Sequence, residues 1–75
     1  MDIFILTFMD SVYRPHAYRK DLGAFFKEEE AMAAAEEDAG HPLPWEEYSD
    51  LCPHSALRDG DKKGALYFTT RMRVQ

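Results

Sequence analysis

The sequence predicts an α+β fold: a small antiparallel sheet of three to four strands with one helix packed across one face, in the order β-β-α-(β)-β. Three observations predict it. A hydrophobic octapeptide opens the chain, an uninterrupted Glu/Ala run occupies the middle, and an alternating segment closes it. Strands flanking a single helix do not supply the repeated βαβ units of a parallel sheet, so an antiparallel sheet under one helix is the simplest architecture. A chain of 75 residues allows one domain, spanning 1–75.

Residues 2–9, DIFILTFM, read as a strand. Ile3, Ile5 and Thr7 point one way and Phe4, Leu6 and Phe8 the other. Both faces are apolar, as in a strand covered on two sides or covered on one side by a partner. The run is far shorter than the ~20 residues of a membrane helix, and no basic segment precedes it as in a signal peptide. Residues 10–20 break the pattern with Pro15 and a polar cluster, which reads as a loop or ragged hairpin. Residues 21–26, DLGAFF, can form a second strand, with Gly23 marking a bulge or a close backbone approach.

Residues 28–39, EEEAMAAAEEDA, are good helix formers with no β-branched side chain among them. Glu28, Glu29 and Glu30 suit the positive end of the helix dipole. Gly40 suits the residue after the last turn, and Pro42 blocks continuation. Ala31, Met32, Ala35 and Ala39 form the apolar stripe. Glu36, Glu37 and Asp38 lie at the unfavourable end of the dipole, with no Lys or Arg partner in the helix. A short strand is expected around Trp45–Tyr48, and Arg58 to Gly64 is turn chemistry. Residues 65–75 alternate as a strand, with Leu66, Phe68, Met72 and Val74 expected to share one core with Phe4, Leu6, Phe8 and the helix stripe.

The net charge of −5 hides an uneven pattern. Residues 28–50 hold nine acids and no Lys or Arg, whereas the rest of the chain holds nine bases and five acids. This block argues against general nucleic-acid binding, which needs a basic footprint. Nine uncompensated acids repel one another, and a basic partner would relieve that and speed encounter. The alternative is a solvated face with no partner. Tyr13, Tyr18, Trp45, Tyr48 and Tyr67 add a surplus of residue types favoured at interface hot spots, although Trp45 and Tyr67 can instead complete the core.

Chemistry-bearing motifs are sparse. Cys52 is the sole cysteine, so no intramolecular disulfide can form, and a free thiol agrees with a reducing compartment. His16, His41, Cys52, His54 and Asp50 are metal-ligand types, but only one closely spaced pair exists where structural zinc sites use two. His54 and Ser55 are adjacent, which is not a nucleophile–base geometry. No glycine-rich phosphate loop or nucleophile elbow is present. We therefore expect no catalytic residues, no metal and no cofactor.

Ile3-Phe4-Ile5-Leu6-Thr7-Phe8, Leu22-Gly23-Ala24-Phe25-Phe26, the run from Glu29-Glu30-Ala31 to Ala39-Gly40, and Pro42-Leu43-Pro44-Trp45 together resemble small uncharacterised β-β-α-β proteins of actinobacteria and their phages. Those open with a hydrophobic strand, continue with a Leu-Gly-Val-Phe type strand and an acidic Ala-rich helix, and pass through a Gly-x-Pro-Leu-x-Trp step to a final strand. The resemblance covers most of the chain but carries fold signals rather than chemistry. Lys27 replaces the usual Ser before the helix, and residues 50–64 do not match. A phage origin would imply an accessory protein acting on a host component.

The expected function is a non-enzymatic protein-interaction module, in the phage case an inhibitor of a host protein. Its expected partner-binding residues are Glu29, Glu30, Glu36, Glu37, Asp38, Trp45, Glu46, Glu47 and Tyr48, facing a protein with a basic surface in the cytoplasm. The alternatives are a nucleic-acid mimic blocking a DNA- or RNA-handling enzyme, and a direct nucleic-acid binder using Arg19, Lys20, Lys62, Lys63, Arg71 and Arg73. No membrane partner is expected. A homo-oligomer could form through an edge strand such as 65–75.

Overall fold

The computed structural model describes residues 1–11, 18–58 and 64–74. Its elements are β1 (Asp2–Met9), β2 (Arg19–Phe25), α1 (Glu28–Ala39), β3 (Glu46–Glu47), β4 (His54–Leu57) and β5 (Leu66–Arg73). The fold is α+β: one helix and a five-stranded sheet in the order β2-β1-β5-β4-β3. Every neighbouring pair is antiparallel. No helix among the described residues is long and apolar enough to cross a membrane.

The sheet has five strands rather than the three to four expected. The additional strand, β4, is four residues bounded by Pro53, and its His and Ser give no apolar alternation. Pairing with β5 on one side and β3 on the other places it in the sheet, so the environment and not intrinsic preference makes it a strand. The expected Arg58–Gly64 turn falls largely on residues 59–63, which lie outside the described residues, as do Tyr13, Pro15, His16, Lys62 and Lys63.

Gly23 adjoins a bulge, the first of the two alternatives expected of it. The β1–β2 register shifts between Leu6 and Thr7, which is the bulge. A Cβ at Gly23 would also stand 3.1 Å from the Phe25 ring. The bulge puts Asp21 opposite Thr7, where its carboxylate accepts a 2.9 Å hydrogen bond from the Thr7 hydroxyl. Helix α1 has the bounds the composition predicts. It starts after Lys27, which caps nothing with its side chain, and ends at Gly40 with φ 82°, the left-handed conformation that favours glycine.

The helix covers one face of the sheet, contacting β1, β2 and β5. Ala31 and Ala35 are buried against it, and Leu6, Leu43, Ala56 and Tyr67 complete the core. Phe4, Phe8, Leu22, Phe25 and Trp45 pack around its margin. The small alanines permit this close approach, which a larger stripe would prevent.

The inward face of β5 is the reverse of the expected one. Phe8 lies opposite Tyr67 and Leu6 opposite Thr69, so Tyr67 and Thr69 face the helix. Leu66, Phe68 and Met72 lie on the other face, beside Met9, Thr7 and Ile3. The reason is polar. Tyr67 and Thr69 are both 0% exposed, and helix carboxylates accept hydrogen bonds from their hydroxyls. The Tyr67 ring also sits 5.2 Å from that of Phe8. β5 is not an edge strand either, since it lies between β1 and β4; the edges are β2 and β3.

Leu6→Ala should cost about 2–5 kcal/mol, comparable with the whole stability of so small a domain. Phe68→Ala, on the face away from the helix, should cost clearly less in dilute protein. Thermal melts followed by circular dichroism compare the two, and equal losses would contradict this assignment of faces.

Candidate partner-binding surface

The acidic block divides into two groups by what its carboxylates touch. Three of its acids hold the fold together. Asp38 Oδ2 accepts a 2.6 Å hydrogen bond from the Tyr67 hydroxyl. Glu36 Oε2 accepts a 2.8 Å bond from the Leu43 backbone N–H, which turns the chain after the helix. Glu28 Oε2 accepts from the Thr69 hydroxyl at 3.1 Å, while its Oε1 lies 2.9 Å from His54 Nδ1. Thr69 in turn accepts from the His54 backbone N–H at 3.2 Å. Glu28, His54 and Thr69 therefore form one network joining the start of α1 to β4 and β5.

The other six, Glu29, Glu30, Glu37, Glu46, Glu47 and Asp50, are exposed. They do not form one continuous face. Glu29, Glu30 and Glu37 lie on the helix, which packs over β1, β2 and β5. Glu46, Glu47 and Asp50 lie on and just after β3, at the sheet's far edge. The helix reaches that edge only at its N-terminal end. There Glu28, Glu47, Tyr48, Ser49, Asp50, Pro53, His54 and Arg71 line an open cleft of about 370 Å³.

The aromatic candidates separate in the same way. Trp45 is half-buried against the core, with its indole N–H buried and meeting no acceptor among the described residues. Tyr67 is internal. Tyr48 is 78% exposed and Leu51 74% exposed, two large side chains held in water beside Glu47 and Asp50. Tyr18, 60% exposed, stands elsewhere, at the start of β2. A backbone bond from Tyr48 N–H to Pro53 carbonyl and another from Ser49 N–H to Cys52 carbonyl, both 3.0 Å, shape the segment that carries Tyr48 and Leu51.

The basic residues do not gather into one described surface. Arg71 and Arg73 both approach Asp2, with Nε–carboxylate distances of 3.8 and 3.5 Å. Arg19 lies over the Phe68 ring, 5.9 Å from its centroid, on the opposite face of the sheet from Arg71. Lys62 and Lys63 fall outside the described residues.

Two side chains weighed from sequence, His54 and Ser55, lie on opposite faces of β4. Strand alternation puts Ser55 opposite Phe68, away from the cleft that His54 lines. Cys52 borders Leu66 and Phe68 rather than that cleft. Among the described residues, no three His, Cys, Asp or Glu side chains converge as a metal set. Burial, and secondarily the Glu28 carboxylate, push the Cys52 thiol above its ordinary pKa, which keeps it protonated and weakly nucleophilic at neutral pH.

Sequence reasoning missed the Glu28–His54–Thr69 network. Nothing local links Glu28 to the other two, and only the inward phase of β5 brings them together. No family model, no curated protein and no solved structure matches the chain.

Two outcomes follow from this geometry. Glu28→Ala should cost about 1–3 kcal/mol in urea unfolding, because it removes the acceptor of the Thr69 hydroxyl and of His54 Nδ1 and leaves Thr69 only the longer 3.4 Å bond to the His54 carbonyl, and Glu28→Gln should cost less. Cys52 should alkylate with iodoacetamide more slowly than a free model thiol at pH 8 and reach the model rate in denaturant. Equal rates in the folded state would contradict the shift.

Proposed function

We propose that the protein is a non-enzymatic interaction module that docks a basic protein surface at its β3 edge. The observation that carries this reading is the exposure of Tyr48 and Leu51 among exposed carboxylates. Two large side chains, 78% and 74% exposed, stand beside Glu46, Glu47 and Asp50. A tyrosine offers apolar contact area and a polar tip at low conformational cost, and such residues anchor interfaces when a partner desolvates them. The flanking acids would steer a basic partner toward the anchor and reject an acidic one. The short β3 edge adds unpaired backbone groups at the same place.

This reading narrows the surface expected from sequence. Glu46, Glu47 and Tyr48 are its centre, with Asp50 and Leu51 joining them. Glu29, Glu30 and Glu37 contribute to the long-range field of the helix. Glu36 and Asp38 are occupied within the fold, and Trp45 packs inward. The nucleic-acid mimic has less support, because phosphate-like spacing needs one continuous acidic surface and the exposed acids lie in separate groups. If the resemblance to phage proteins reflects origin, the partner is a host protein and binding would inhibit it.

The test is capture from an actinobacterial lysate with wild-type protein and with a Glu47→Lys/Asp50→Lys/Tyr48→Ala variant of unchanged circular dichroism. Proteins with basic surfaces should bind the wild type, with binding weakened by salt, and should be lost at least about tenfold from the variant. Equal capture by both proteins would contradict docking at this edge.

A further inference from the structure

We propose that a hollow on the sheet face opposite the helix binds a medium-chain carboxylate, a small amphiphile with one anionic end and an alkyl tail. The hollow holds about 350 Å³, within the range of small-ligand sites. Its floor crosses four strands. Arg19 of β2 lies opposite Met9 of β1, Met9 lies opposite Leu66 of β5, and Phe68 of β5 lies opposite Ser55 of β4. Three strand spacings of about 4.8 Å make this floor about 14 Å long, an elongated shape that suits an alkyl chain. Met9, Leu66 and Phe68 are half-buried and supply apolar contact along it. Tyr48 and Cys52, from the connection between β3 and β4, border it as well. Burial holds the Cys52 thiol protonated, so it adds no charge there.

Charge selects the head group. Arg19, at the β2 end, is the one charged side chain among those lining the hollow. It lies over the Phe68 ring, yet among the described residues its N–H donors meet no acceptor and it enters no ion pair. Arg71 and Arg73, on the other face, both approach Asp2 instead. A planar guanidinium with unused donors matches a carboxylate through two parallel hydrogen bonds. One arginine in a chain of net charge −5 suits a monoanion better than a dianionic phosphate. Two acids share this face, Asp21 and Glu46, but neither lines the hollow. An amphiphile with a cationic head would therefore find no counter-charge in it.

The same charges set the direction of the tail. Arg19 and Phe68 also border a second hollow of about 370 Å³, toward Thr70 and Met72. Asp21 lines that one, with its carboxylate held by the Thr7 hydroxyl. The first hollow has no acid in its lining, so the tail runs from Arg19 over Met9, Leu66 and Phe68 toward Ser55. Tyr48 borders both this hollow and the cleft of the proposed docking edge, whereas Glu47 and Asp50 border only the cleft. The carboxylate site does not rest on the docking reading, and variants at Glu47 separate the two.

Titration of the full, isotopically labelled chain with decanoate, followed in amide NMR spectra, tests the proposal. Decanoate at millimolar concentration should shift the amides of Met9, Arg19, Leu66 and Phe68 in a saturable way and leave those of the helix unmoved. Arg19 is exposed, so Arg19→Gln should keep the fold and weaken decanoate about fivefold, the upper range for an exposed charge pair. Decyltrimethylammonium, with the same tail and the opposite charge, should bind the wild type at least about fivefold more weakly than decanoate and should not weaken further in Arg19→Gln. Glu47→Lys should leave the pattern of shifted amides unchanged, whatever it does to docking. No saturable shift with decanoate, or shifts centred away from these residues, overturns the site. Equal affinity for the two amphiphiles, or decanoate binding unchanged in Arg19→Gln, overturns the choice of a carboxylate.

Discussion

The helix is tied to the last strand by two carboxylate–hydroxyl hydrogen bonds, one near each end, and most of the structure depends on that pairing. Asp38 holds Tyr67 at 2.6 Å, and Glu28 holds Thr69 at 3.1 Å. Both hydroxyls belong to residues with no exposure to water. A buried hydroxyl without a partner costs on the order of 1–3 kcal/mol, and the helix carboxylates supply an acceptor to each of the two, with the His54 carbonyl a second, longer one for Thr69 at 3.4 Å. In a strand the alternative is a slip of one residue, which would bring Leu66, Phe68 and Met72 inward and expose Tyr67 and Thr69. The two hydrogen bonds favour the phase observed, together with the Thr69–His54 bonds and the packing of Tyr67 on Phe8. Once the polar face is inward, the apolar face is outward.

The same constraint accounts for the acidic block. Acids in the last helical turn oppose the helix dipole, and Glu36 and Asp38 stand there without a basic residue in the turn. Each meets a hydrogen-bond donor from another segment, Leu43 N–H for Glu36 and the Tyr67 hydroxyl for Asp38. Those charge-assisted bonds offset the unfavourable position. What is left of the block, Glu29, Glu30, Glu37, Glu46, Glu47 and Asp50, is exposed. The proposed docking edge rests on the part of this remainder that lies on and just after β3, Glu46, Glu47 and Asp50.

Much of the fold was legible because its signals are local. The Glu/Ala run of 28–39 with Gly40 after it carries its own start, stop and apolar stripe, and the helix has those bounds. The octapeptide 2–9 is apolar on both sides whatever surrounds it, and it is a strand throughout. Gly23 marked a bulge because a missing side chain is visible in any context. What failed was non-local. The inward phase of β5 turns on acceptors far away in the helix, and hydrophobicity alone favours the wrong face. Strand β4 has too little alternation to be seen before β5 is placed beside it. Among the expected site residues, Glu46, Glu47 and Tyr48 are exposed together, whereas Glu36 and Asp38 are engaged by hydrogen bonds from other segments and Trp45 is half-buried against the core, for reasons that only tertiary contacts reveal.

A double-mutant cycle on Tyr67→Phe and Asp38→Ala tests the central claim most directly. Each single change removes one side of the bond while leaving the apolar packing of the ring against Phe8 in place. If this contact fixes the phase of β5, unfolding in urea should give a coupling energy of about 1.5–3 kcal/mol, as for a hydrogen bond to a charged group. Losses that add to within about 0.5 kcal/mol would mean that the two residues act independently, and the account of the inward face would fail.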